Sequence, residues 1–184
     1  RPTGWPTHQV MHDPLRDSHC TTPMSPSNPG TAPSDFDFII GEWNVRHRRL
    51  SSRMTGCSDW VEFSGTSSTR KILGGFGNVE DNVLCFPDGE VRAAAFRSFD
   101  ETSQQWAIWW LDGRAPHALD VPVVGRFRGP VGTFFANDSL DGQPVTVRFT
   151  WHANIGHHPR WEQAFSRDGG ETWETNWVMV FVRQ

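Results

Sequence analysis

Val145-Thr146-Val147-Arg148-Phe149-Thr150-Trp151 alternates apolar and polar residues with period two. Successive side chains of an extended chain point to opposite faces, so this run reads as a strand with one buried face. The pattern continues downstream, where Trp161, Gln163 and Phe165 alternate with Arg160, Glu162 and Ala164. The terminal run Asn176–Arg183 is apolar on both faces over most of its length and reads as a well-covered strand. Upstream, further strand candidates fall at 42–50, 58–66, 69–73, 78–86, 91–99, 105–112, 122–128 and 131–136. Asp88-Gly89, Asp112-Gly113, Asp141-Gly142 and Asp168-Gly169-Gly170 supply turn chemistry between many of them. One helical element is expected, a short turn near Pro33–Ile40. Eight to ten short antiparallel strands predict an all-β barrel or sandwich.

The remaining composition narrows the class. A chain of 184 residues holds one compact domain and a tail. A net charge of −4 argues against a nucleic-acid partner held by a strong positive field. No apolar run approaches the roughly 18 residues of a membrane span. No secretory signal is evident, although a start at Arg1 leaves earlier processing open, and Met24 also suits a natural start. Cys20, Cys57 and Cys85 are odd in number and lack metal-ligand spacing, which favours a reduced, cytoplasmic protein. The chain has 10 Trp, 13 Phe and no Tyr, and Lys71 is its only lysine. Guanidinium groups stack on such rings and tolerate partial burial better than ammonium.

Residues 1–34 differ from residues 35–184. The first segment is Pro-rich and has no Phe, and its run Thr21–Gly30 cannot sustain a helix or ladder. It reads as an extended arm, lying across a second subunit of a homodimer or over the barrel mouth.

Two local motifs sharpen the fold. Gly41-Glu42-Trp43 opens the first strand and resembles the Gly-x-Trp start of lipocalin-type (calycin) barrels. In those barrels the Trp closes one end beneath a basic side chain, a role the resemblance gives to Arg183. Ser166, Asp168, Gly170, Thr172 and Trp173 match the Asp-box hairpin, Ser-x-Asp-x-Gly-x-Thr-Trp. Asp168 is placed to accept backbone N–H groups, Gly170 to take positive φ and Trp173 to fold back. Asp boxes also occur in sialidases, where they are structural, and this chain is too short for a propeller. Residues 35–184 as a whole resemble an uncharacterised bacterial family with a calycin-like barrel. The resemblance rests on Asp35-Phe36-Asp37-Phe38, Leu73–Val79, Pro122–Phe127, Gly132–Phe135, Arg160–Phe165 and Asp168–Trp177. It implies a single antiparallel β-barrel with an internal pocket and implies no reaction.

The candidate chemistry centres on the Trp-rich strands. Trp106 and Trp110 fall on one face of their strand and Trp109 on the other, with Asp112 and Arg114 at the strand end where barrel mouths gather ligand contacts. Trp109, Trp151, Trp161 and Trp177 are the aromatic contacts expected for a flat, apolar ligand; packing is their alternative role. Glu162, flanked by Trp161 and Gln163, has Arg97 or Arg126 as possible partners, either to orient a ligand or as an ion pair fixing register. Glu80 and Asn82 follow a Gly-rich stretch that leads into a strand, which favours a bend in the barrel wall over a phosphate loop. His152, His157 and His158 raise the alternative of heme, because heme-binding nitrobindins share the broad barrel class. Neither their spacing nor a nitrobindin-type opening supports it, and no metal or cofactor is expected. The first expectation is therefore a binding protein for a hydrophobic small molecule. The alternative is a cofactor-free isomerase or cyclase using Glu162, Asp112 or Arg114, with an acid whose pKa burial has raised. A side-chain-filled structural dimer is the third.

Overall fold

The computed structural model describes residues 30–155 and 158–184; the sequence-based expectations for the Pro-rich arm, Met24, Cys20 and His157 lie almost wholly or wholly outside them. A 3-10 turn, Asp37–Ile39, leads into ten strands: β1 (Gly41–Leu50), β2 (Trp60–Ile72), β3 (Gly77–Phe86), β4 (Gly89–Asp100), β5 (Gln105–Asp112), β6 (Val123–Arg128), β7 (Val131–Leu140), β8 (Gln143–Ile155), β9 (His158–Ser166) and β10 (Glu174–Arg183). Each strand pairs antiparallel with the next, and β1 pairs with β10 to close the barrel. Among the described residues, closure leaves no unpaired sheet edge as a template for aggregation. Among the described residues, no helix is long and apolar enough to cross a membrane.

Alternation determines which side chains fill the barrel. On β1, Trp43, Val45 and His47 point inward and are buried, while Glu42, Asn44, Arg46 and Arg48 are exposed. The two candidates 58–66 and 69–73 form the single strand β2. Their polar junction belongs inside, because Ser67 and Thr69 are buried and Ser67 Oγ donates to Glu80 Oε1 at 3.0 Å. The Leu73–Gly75 turn is the connection between β2 and β3, not a bend within the wall.

One end of the barrel is sealed. Phe36 and Ile39, at 2% and 0% exposure, carry the turn before β1 into the core against Trp106, Phe127, Phe134 and Trp151. Trp43 donates from Nε1 to Ile39 O at 2.8 Å. Arg183 is paired with Trp43 in register and lies 4.4 Å from its ring centroid, while its Nη1 donates to Ile40 O at 2.7 Å. Gly41 has φ +118°, and a Cβ there would collide with Arg183 Nη1. The Gly-x-Trp opening thus owes its glycine to both backbone conformation and the space under the guanidinium.

The other end carries residues 51–59, 87–88, 113–122, 141–142 and 167–173. There Asp168 gathers the last turn. It accepts from Ser166 Oγ at 2.6 Å and from Thr172 N at 2.9 Å, and also from Thr172 Oγ1. Gly170 has φ +98° and its N–H donates to Ser166 Oγ at 2.8 Å, while Trp173 Nε1 returns to Gly170 O at 2.9 Å. Arg148 covers Trp173 from the outer wall at 4.2 Å.

Candidate functional site

The barrel interior is aromatic but incompletely filled. At the open end lies a cavity of about 220 Å³, with Trp110, Phe149, Trp161, Trp177 and Met179 among its walls. A second cavity, of about 180 Å³, adjoins it and shares Arg53, Trp110, Asp120, Phe149 and Gln163. Toward the sealed end, a space of about 20 Å³ is bordered by Glu80, Arg97, Trp151 and Trp161. Small side chains create the room. Ala93 and Ala95 face inward from β4, and Ala95 stands opposite Trp110.

The mouth is charged. Arg114 holds Asp112 by Nε to Oδ1 at 3.0 Å and Nη2 to Oδ2 at 2.6 Å. This hydrogen bonding keeps the Asp112 carboxyl below its ordinary range. That direction is opposite to the one a general acid needs. Arg49, near the end of β1, lies over Trp177 at 5.0 Å, and Arg53 of the following loop over Phe165 at 5.4 Å. The loop is tied down by Met54 N donating to Glu174 Oε1 at 2.8 Å. Asp120 enters the mouth because its N–H donates to Trp110 O at 3.0 Å, in a segment that continues from the Leu111–Leu119 bridge. Burial, then the nearby Asp138 and Asp112, raises the Asp120 carboxyl.

At the floor, Arg97 pairs with Glu80 through Nη2–Oε2, and Nη1 donates to Asn78 Oδ1 at 2.7 Å. Its guanidinium also lies 5.1 Å from the rings of Phe36 and Trp151. The pair bridges adjacent β3 and β4 and fastens the aromatic plug to the wall. Asn82, on the same inner face, is 2% exposed, with Nδ2 buried and unpartnered.

The structure divides the sequence-derived candidates into two groups. Trp161, Trp177, Asp112 and Arg114 border the outer cavity, and Trp151, Glu80 and Arg97 border the inner one. Asn82 is buried beside them in the ladder. The other candidates do not join them. Trp109 is opposite Phe96, 37% exposed on the outer wall, while Trp110 takes the inward position. Arg126 is on the outside and donates to Ser103 O. Glu162 occupies the face opposite Trp161 and Gln163 and pairs with Arg160 at 2.6 Å. The expected Glu162 pairing with Arg97 or Arg126 is therefore corrected: Arg97 is engaged inside by Glu80, and strand alternation puts Glu162 outside.

Arg49, Arg53, Asp120 and Gln163 also line the outer cavity, and the sequence reading does not single them out as site residues. His47 was missed as well. It is 3% exposed, stacks on Phe63 with centroids 4.6 Å apart, and accepts from Trp177 Nε1 at Nδ1 over 3.3 Å. Its Nε2 lies over Gly65, where a Cβ would come within 2.8 Å. Alternation along β1 puts Trp43, Val45, His47 and Arg49 on one face and is the signal that leads to both. None of the described histidines lines the interior cavities, so these residues do not fit a heme held by a proximal His. Among the described residues there is also no cluster of three metal-ligating side chains.

The closed ten-strand antiparallel barrel is compatible with a calycin-like fold. Searches of the sequence against protein-family models and against curated proteins find no match to either.

Proposed function

We propose that the barrel binds a flat, predominantly apolar small molecule between Trp110, Phe149, Trp161 and Trp177. The carrying observation is an aromatic-lined cavity open at one end of a barrel whose other end is sealed. Such a site favours planar ligands through area and ring geometry, while a few polar groups at the rim set orientation. N-phenyl-1-naphthylamine, an uncharged planar dye, tests the reading by fluorescence titration. It should bind saturably to the wild type, and Ala93→Phe, which fills the cavity from β4, should weaken it by about tenfold or more. Unsaturable binding, or binding indifferent to Ala93→Phe, contradicts the proposal.

Asp120 favours a second reading, a cofactor-free isomerase or cyclase acting on the same class of molecule. Its raised carboxyl borders both larger cavities, whereas Asp112 is committed to Arg114. With a substrate identified, Asp120→Asn should lower turnover by roughly 10²-fold while leaving binding intact. Unchanged turnover excludes Asp120 as the acid or base.

A further inference from the structure

We infer that the cavity mouth is an oxyanion subsite in which Arg49 and Arg53 bind an acidic group at one end of the flat ligand. The inference deepens the binding reading above and rests on it. Three guanidiniums and two carboxylates line the cavity, but they are not matched pair by pair. Asp112 is engaged by Arg114. Among the described residues, neither Arg49 nor Arg53 has a carboxylate within ion-pair distance.

Arg49 is the more constrained of the two. Its Nε is buried without a hydrogen-bond partner, and its guanidinium lies over Trp177 and within 5.9 Å of the Phe86 centroid. The aromatic face supports the charge without using the in-plane N–H groups, which remain available to an oxyanion. Burial, followed by repulsion from Arg53 and Arg114, pushes Arg49 down to about 10, leaving it a cation at neutral pH. A partly desolvated cation without a partner is costly, and a ligand anion offsets that cost where water is scarce. Arg53 also borders both larger cavities, so an anion at the mouth lies where a ring inserted between the Trp walls would end. Asp120 is the other carboxylate of this lining and, among the described residues, has no ion-pair partner.

The test uses two dyes sharing one ring system, 1-anilinonaphthalene-8-sulfonate and uncharged N-phenyl-1-naphthylamine. The wild type should bind the sulfonate at least about tenfold more tightly, a preference that shrinks as salt is raised. Arg49→Gln and Arg53→Gln should each remove most of that preference, weakening the sulfonate several-fold more than the uncharged dye, whose remaining saturable binding reports that the cavity is intact. Arg126→Gln, on the outer wall, should alter neither dye. Equal binding of both dyes by the wild type overturns the anion subsite and leaves the apolar cavity standing. So does an equal loss of both dyes in the arginine variants when the cavity-filling Ala93→Phe still behaves as expected. Failure of both dyes to bind overturns the cavity reading together with the subsite.

Discussion

His47 is an imidazole packed among rings, with Phe63 against one face and the Trp177 N–H directed at Nδ1. Burial pushes its pKa from 6.5 down to about 4. The unfolded chain therefore binds a proton that the folded protein refuses between those values. The associated stability is fully present above about pH 6.5 and is lost as pH falls toward 4, by about 3 kcal/mol in all. Urea midpoints should decline over that window for the wild type, and His47→Gln should remove most of the decline. Parallel curves contradict this account. Gly41 is constrained differently, by φ +118° and the Arg183 guanidinium where a Cβ would be. Gly41→Ala should cost about 1–3 kcal/mol in urea unfolding; an unchanged midpoint rejects the dual constraint. At this scale, period-two patterns identify strands but do not always reveal which of two apolar faces is inside. Trp109 and Trp110 are adjacent and chemically identical, and only pairing with Phe96 or Ala95 distinguishes them.

Strands and turns were more legible because their causes are local. The run Gln105–Asp112 has the same boundaries as sequence expectation and structure, and Asp168 anchors its turn through neighbours within four residues. Hydrogen bonds from Ser166 and Thr172 hold the Asp168 carboxyl below its ordinary range. Its contribution is present above the unfolded value of 3.8 and is lost as pH falls toward the lower folded value. Asp168→Asn should lower the thermal midpoint at neutral pH by more than it does in strong acid; an equal deficit at both contradicts the assignment. Glu80 and Arg97 are a longer-range case, 17 residues apart and paired inside the barrel. Turning a Gly-rich connection into a β2–β3 hairpin brings Glu80 to the inner wall, a consequence of register rather than composition. Arg97→Met leaves a buried carboxylate and should cost about 3–5 kcal/mol, much of it recovered by adding Glu80→Leu. A double variant no more stable than the single rejects this coupling.

The described residues form a closed barrel with an aromatic floor and a charged mouth. Sequence patterning supplied the all-β class and a range of eight to ten strands that includes the ten observed, because alternation recurs in nearly every element. Closure and the mouth depended on contacts it does not encode locally: β1 with β10, Arg49 with Trp177, and Asp120 with Trp110. Those contacts turn scattered Trp and Arg residues into one cavity with a polar rim. Native mass spectrometry of the full protein purified from its natural host, paired with a denatured run, tests that central claim most directly. The account predicts a reproducible non-covalent mass on the wild type, lost on denaturation and strongly reduced in Ala93→Phe. Wild-type protein found only at its bare chain mass contradicts a ligand-holding barrel.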